Sequence, residues 1–425
     1  VITHNAIYFR RVNNLISPNP KRMNRRAANS MLKTVTEEEL HALAHKLKLA
    51  AVSDEHRAEA LETTEHLLEL ITTAPEPAKA AMMLGSEPGI LAALQSLLAA
   101  YTMDNATLLS GLTLLACIAG GPAACKEAIS SSPCRLLGTV AALLSHQNPQ
   151  LAAAAARCTK MLTSNAQPSV CLRLLQKQRT CGTPAVLLAQ LVEAAAAAGP
   201  DSACASAGEE AAAALANLAT AVPGQLVSQK GVVSALIAGM RSSDMQLQLL
   251  GAGAIAALAA DPAAAAAAAK AKGAKLVPVL ASLLEADAAE LVCASAAALQ
   301  CFALHCTPAF KEYIAAMATG HRHGKGRSTV TATLALLAGG SYSSNDGSGG
   351  VNKAVSRAAA QALAALLEGC PQNVKLLCKQ DGPAGVSVVD MLIACLRSNG
   401  GHSSSSGEPS IKAASVSLTA LEEVA

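Results

Sequence analysis

The sequence predicts an all-α protein built as a solenoid of short helical repeats. Three observations carry that expectation. First, 52% of the residues are hydrophobic but only 2% are aromatic, and Trp is absent. Large cores normally draw much of their buried area from rings. A core of Ala, Leu and Val must instead bring helix backbones close together, and Ala and Leu are the strongest helix formers. Second, apolar residues recur three and four apart in run after run, which makes one buried stripe per helix. Third, similar blocks return every 44 to 58 residues or so, the mark of a repeat array rather than of two or three globular domains.

Residues 1–36 contain no Asp or Glu but carry Arg10, Arg11, Lys21, Arg22, Arg25, Arg26 and Lys33. This basic stretch has the look of an organelle targeting segment, while the plainer reading is an irregular N-terminal lead. Residues 37–88 read as N-terminal helices and a half repeat, ending in "RAEALETTEHLLELITTAPEPAKAAMMLGSEP". Residues 89–425 read as the array.

Within the array a first block is a short apolar helix. Its copies are "ILAALQSLLAA" from Ile90, "GTVAALLSH" from Gly138, "VLLAQLVEA" from Val186, "VVSALIAGM" from Val232, "LVPVLASLL" from Leu276, "VTATLALLA" from Val330 and "VVDMLIACL" from Val388. A second block carries the buried stripe: "LTLLACIAG", "AAARCTKML", "AAALANLAT", "GAIAALAAD", "AAALQCFAL", "AQALAALLE" and "VSLTALEEV". A third often follows, as in "GPAACKEAI", "VPGQLVSQKG", "DPAAAAAAAKAKG", "TPAFKEYIAAMATG" and "CPQNVKLLCKQDG". Its early Pro suits a helix first turn, and its final Gly suits a left-handed C-cap. Stacked units of this kind bury a continuous core that no single unit can bury alone. Insertions at 319–328, 339–350 and 398–410 read as loops grown out of repeat turns; the Gly/Ser-rich ones are flexible by composition. The final "LTALEEVA" reads as a helix with no cap, so the array is expected to continue.

The unit "GVVSALIAGMRSSDMQLQLLGAGAIAALAADPAAAAAAAKAKG" resembles an armadillo repeat. In that family a helix after Gly is followed by a loop with Ser and Asp, then a helix pair, then the next Gly. The resemblance runs from about Arg57 to Ala425 and is clearest from Glu209 to Gly320. It implies a right-handed α-solenoid of about seven repeats, with HEAT repeats the nearest competitor. It also implies a concave groove lined by the second block. Members of the nuclear-import type carry a groove Asn with Trp four residues earlier. Asn217 in "ALANLA" matches that Asn, but Ala213 stands where Trp would be. The equivalent positions elsewhere are Cys117, Ala257, Cys301 and Ala365. The resemblance therefore does not imply binding of nuclear-localisation signals by paired Trp and Asn.

No catalytic residue, cofactor or metal is expected. There is no GxSxG, HExxH or Rossmann fingerprint. "GHRHGKGRST" departs from the phosphate-cradling GxxxxGK[ST], because Gly326 follows Lys325 where a magnesium-binding hydroxyl belongs. His41 and His45 stand four apart on a helix, and Cys301, His305 and Cys306 cluster, but a structural zinc site needs four ligands. The thirteen Cys show no CxxC pair and read as small buried hydrophobes of a reducing compartment. The longest uncharged run, Asn105 to Cys125, carries polar residues and a Gly-Gly-Pro break, which argues against a membrane span.

The net charge of +3 selects no partner, but its distribution is informative. From Ala128 to Val192 there is no Asp or Glu, while Arg135, Arg157, Lys160, Arg173, Lys177 and Arg179 are all positive. A one-signed groove draws acidic partners; the alternative is a basic surface with no dedicated ligand. Without aromatic stacking residues, nucleic acid is not favoured. His321, Arg322, His323, Lys325 and Arg327 form a basic loop, a phosphate or acidic-peptide grip or simply a solvated insertion. The expected function is a non-enzymatic scaffold or adaptor binding a protein or acidic peptide, with Arg157, Lys160 and Asn217 as contacts. The alternative is a structural subunit of a large ciliary, axonemal or organellar assembly. The expected location is cytoplasmic, with cilium or cytoskeleton, or an organelle if residues 1–36 are a targeting remnant, as alternatives.

Overall fold

The computed structural model describes residues 37–50, 57–74, 76–87, 89–100, 105–131, 136–177, 182–319, 328–339 and 349–379. The fold is a right-handed α-solenoid of armadillo-like helical repeats. Among the described residues there is no strand, and one isolated antiparallel bridge joins Ala318 to Thr329. The chain divides into two compact units, Val1–Val232 and Val233–Ala425.

The first unit opens with α1 (Glu37–Ala50), α2 (Arg57–Thr73) and α3 (Pro77–Ser86). Three repeats follow, each a first helix of 9 to 15 residues, a long helix and a short Pro- or Ala-started helix. They are α4 (Ile90–Ala100), α5 (Asn105–Ala119) and α6 (Ala123–Ser131); α7 (Leu136–Leu144), α8 (Pro149–Thr163) and α9 (Pro168–Leu174); and α10 (Pro184–Ala198), α11 (Ala205–Ala221) and α12 (Pro223–Val227). The long helices pack in series, α2 on α5, α5 on α8 and α8 on α11. The next helices are α13 (Val232–Arg241), α14 (Met245–Ala259), α15 (Pro262–Leu283), α16 (Ala289–His305), α17 (Pro308–Ala316), α18 (Val330–Ala338), α19 (Gly349–Leu367) and α20 (Pro371–Cys378). In the second unit α14 packs on α16 and α16 on α19.

Local chemistry sets the helix ends. Pro occupies the first turn of α8, α9, α10, α15, α17 and α20, where its missing N–H costs no hydrogen bond. In the "RSSD" loop Asp244 Oδ1 accepts from the N–H groups of Gln246 at 2.8 Å and Leu247 at 3.1 Å, capping α14. Two Lys cap helices of the following repeat. The buried Lys126 donates to the Ser164 carbonyl just past α8. Lys311 donates to the carbonyls of Ala365 at 3.3 Å and Glu368 at 3.1 Å around the end of α19. Both sit in the same local run, "KEAI" and "KEYI", and both place positive charge at a helix C-terminus.

The core is Ala and Leu, and it depends on close approach. A Cβ on Gly208 of α11 would stand 2.2 Å from the Ala195 Cβ of α10, so those helices meet at the distance glycine permits. The described rings gather at one place, where Phe302 and Phe310 lie 6.1 Å apart edge to face and Tyr313 lies 5.9 Å from Phe310.

Gly273 corrects an expectation. "DPAAAAAAAKAKG" and "LVPVLASLL" were expected as two helices divided there, but they form the single 22-residue α15. The Ala/Lys run is strongly helix-forming and carries through. Glycine serves a contact instead, since a Cβ there would lie 2.7 Å from Phe310 Cε2. Gly231, by contrast, is left-handed at φ 88°, as a cap requires. Gly320 and Gly382 lie outside the described residues, as do the insertions proper and the blocks from Val388 onward. The uncharged run from Asn105 is divided between the 15-residue α5 and α6. Among the described residues no single helix is long and apolar enough to cross a membrane.

Candidate functional site

Three consecutive long helices, α5, α8 and α11, bring the strongest group of candidates together. Arg157 of α8 has its side chain 56% exposed. Its Nε donates to Glu210 Oε1 of α11 at 3.0 Å. Lys160, one turn further along α8, donates from Nζ to Glu210 Oε2 at 2.7 Å. Glu210 is 13% exposed and holds one cation on each oxygen. Asn217, two turns beyond Glu210, donates from Nδ2 to the Lys160 carbonyl and to Thr163 Oγ1, each at 3.2 Å. All three contact candidates therefore lie on the α8–α11 seam.

Beside that seam an open cleft of about 310 Å³ crosses the same three helices. Leu109, Thr113 and Ala116 of α5 form one side, Ala153, Ala154 and Arg157 of α8 the middle, and Ala203 and Ser206 the far side. Thr113 Oγ1 donates to its own helix at the Leu109 carbonyl, 2.7 Å away, so the lining is mostly apolar. Cys117 lies close enough to Arg157 for the guanidinium to pull its thiol down, but burial dominates and raises it.

The remaining basic candidates are placed elsewhere or outside the described residues. Arg173 of α9 pairs with Glu127 Oε1 of α6 at 2.8 Å and donates to Ser130 Oγ at 2.7 Å, so it belongs to the short-helix ridge. Lys177 is exposed just past α9. Arg135 and Arg179 lie outside the described residues, as does the loop of His321, Arg322, His323, Lys325 and Arg327. The stem of that loop is described. Thr319 N–H donates to the Ser328 carbonyl at 2.8 Å, and the buried Thr319 and Thr333 hydroxyls lie 2.9 Å apart.

Sequence reasoning did not pair these cations with Glu127 and Glu210, because both acids stand outside the acid-free window that made the region look one-signed. The signal was the repeat interval: Glu210 is 53 residues from Arg157 and 50 from Lys160. It also missed the cleft, which no local pattern announces. Among the described residues no group of three or more His, Cys, Asp or Glu is placed to hold a metal ion. The ten described cysteines are free, and six of them are buried.

No family model matches the chain, and no curated protein matches it. Solved structures do. The crystal structure of Uso1-2 is similar at 12% identity and TM-score 0.59, over 92% of this chain and 62% of that one. A structure described as "A conserved phosphorylation switch controls the interaction between cadherin and beta-catenin in vitro and in vivo" is similar at 16% identity and TM-score 0.53, over 94% of this chain and 82% of that one. A designed armadillo repeat protein in complex with the peptide (KR)4 is similar at 19% identity and TM-score 0.51, over 62% of this chain and 99% of that one. At these identities the likeness shows the fold, an armadillo- or HEAT-like α-solenoid.

Proposed function

We propose that the protein is a non-enzymatic interaction scaffold that holds an extended, acidic peptide or protein segment along the concave face of its long helices. The observation that supports this best is Arg157, half exposed at the wall of an open cleft crossing three consecutive long helices. Lys160 backs it through the shared Glu210. Asn217 has its amide N–H groups engaged, which leaves Oδ1 as the atom to accept from a partner backbone. Arg173, Lys177, Arg179 and the loop of His321, Arg322, His323, Lys325 and Arg327 would extend the basic surface. The similar designed protein holds a Lys/Arg peptide. The charge on the α8 wall favours the opposite sign here. With no Trp in the chain, paired Trp/Asn reading of a nuclear-localisation signal is not part of this proposal.

The test is capture of partners from an extract at rising salt, with wild type and Arg157→Gln side by side. Capture that weakens with salt and with the substitution is the expected result. Capture indifferent to both removes the groove. A second reading, a subunit packed within a large assembly, draws on apolar side chains left exposed on several helices, among them Leu49, Met245 and Leu304. It is separated by behaviour in isolation, since a packed subunit self-associates when purified alone.

A further inference from the structure

We infer that the cleft across α5, α8 and α11 is an anchor subsite for an extended segment with an aliphatic side chain and an acidic side chain on the same face. The inference rests on the groove reading above and names the chemistry of its occupant. Three features of the cleft each select part of that chemistry.

The floor selects the aliphatic group. Leu109 of α5 is 36% exposed at the cleft, and Ala153 and Ala154 of the neighbouring α8 line it as well. An exposed Leu beside small side chains leaves room for one branched aliphatic group, whose burial is favourable. The wall selects the carboxylate. The Arg157 guanidinium is tied to Glu210 through Nε alone. A guanidinium carries five N–H donors, and its remaining face suits a second carboxylate. The rim selects a backbone: Gln150 and Ser206 stand exposed at its edges, on α8 and α11.

Geometry sets the spacing. Helix axes packed about 8–10 Å apart, crossed by a chain that rises about 3.3 Å per residue, give roughly three residues per helix. Leu109 is on α5, while Arg157 leans from α8 toward α11. In an extended segment only alternate residues share a face. The anchor and the acid therefore stand two or four residues apart, and an odd spacing turns one of them away.

The test uses amidated nonapeptides of Ser and Gly, labelled with fluorescein at the N-terminus and carrying one Leu and one Glu at separations of one to four. Fluorescence anisotropy reads their binding to the full chain, to Arg157→Gln, to Ala153→Leu and to Leu109→Ser. Expected is tighter binding at even separation, roughly tenfold weaker when the peptide Glu becomes Gln. Arg157→Gln removes that difference. Ala153→Leu fills the cleft and weakens every peptide, and Leu109→Ser does the same without adding bulk, so a folding defect in one variant does not decide the matter. Binding blocked by Ala153→Leu but indifferent to Glu or Gln overturns the acidic anchor and leaves the groove standing. Binding unaffected by both cleft variants overturns the groove itself. No binding by any peptide at about 1 mM overturns both.

Discussion

Asn217, near the end of α11, ties it to the end of the preceding long helix α8: its Nδ2 donates to the Lys160 carbonyl at 3.2 Å and to the Thr163 hydroxyl at the same distance. Thr163 Oγ1 in turn donates to the Thr159 carbonyl at 3.0 Å. The Lys160 carbonyl also accepts from the Ser164 N–H at 2.9 Å, so the Asn217 amide adds a link between repeats to a helix end already closed by its own backbone. A residue that looked like a ligand reader is, in the free protein, a clamp between repeats.

Replacing Asn217 by Ala is expected to cost about 1–2 kcal/mol, because two half-buried hydrogen bonds are lost and no new charge is left unpaired. Asn217→Asp is expected to cost more, since a carboxylate would face the Lys160 carbonyl. Urea denaturation reads both as lower midpoints at unchanged slope. A midpoint that does not move for Asn217→Ala removes the clamp.

The clamp also shows how much was legible beforehand. Helix type and order were readable, because Pro at the first turn and a stripe at three and four residues are local signals. What the side chains touch was not, because solenoid neighbours lie about one repeat away in sequence. Gln95 bonds Thr139 across 44 residues, Arg157 bonds Glu210 across 53, and Lys311 bonds Ala365 across 54. An acid-free window from Ala128 to Val192 is thus compatible with paired cations, since Glu127 borders it on one side and Glu210, beyond its other end, stands at the contact interval. Gly273 was misread for the opposite reason. Its local context signals a cap, and the distant Phe310 ring decides its use.

Among the described glycines of the first unit Gly208 has the nearest neighbour to an added Cβ, so its substitution is a direct test of backbone contact as the source of cohesion. Gly208→Ala places a Cβ 2.2 Å from the Ala195 Cβ and is expected to destabilise by about 1–3 kcal/mol, although Ala is the better helix former. Ala195→Gly in the same chain clears the space. The double variant is expected to recover much of the loss, and a thermal melt of the four species gives the coupling. Purely additive single effects would show that α10 and α11 yield without strain.

Ser295 is fully buried on α16, and its hydroxyl has no hydrogen-bond partner. A buried polar group without a partner costs about 1–3 kcal/mol of desolvation. Ser295→Ala keeps the volume close and improves helix propensity. It is expected to raise the melting temperature by a few degrees, in contrast to most buried substitutions. A lower melting temperature would mean that the hydroxyl is satisfied by water.

Burial of the thiols gives stability a dependence on alkaline pH whose sign is fixed. Burial raises Cys158 from 9.0 to about 12, with the nearby Cys117 adding to the shift, and raises Cys171 to about 11. Between pH 9 and about 11–12 the unfolded chain gives up these protons while the folded chain keeps them. The folded state then binds more protons, so stability falls as pH rises through that window. Lys126 acts the other way. Burial lowers its pKa below 10.5, so the folded chain releases that proton first and gains stability as pH climbs toward 10.5. Thermal melts under reducing conditions are expected to show a falling melting temperature from pH 9 to 11. Cys158→Ala should flatten the fall, and Lys126→Met should steepen it. The comparison uses slopes, so a general loss of packing in either variant does not imitate the result. Parallel slopes in wild type and Cys158→Ala would show that the Cys158 thiol reaches solvent.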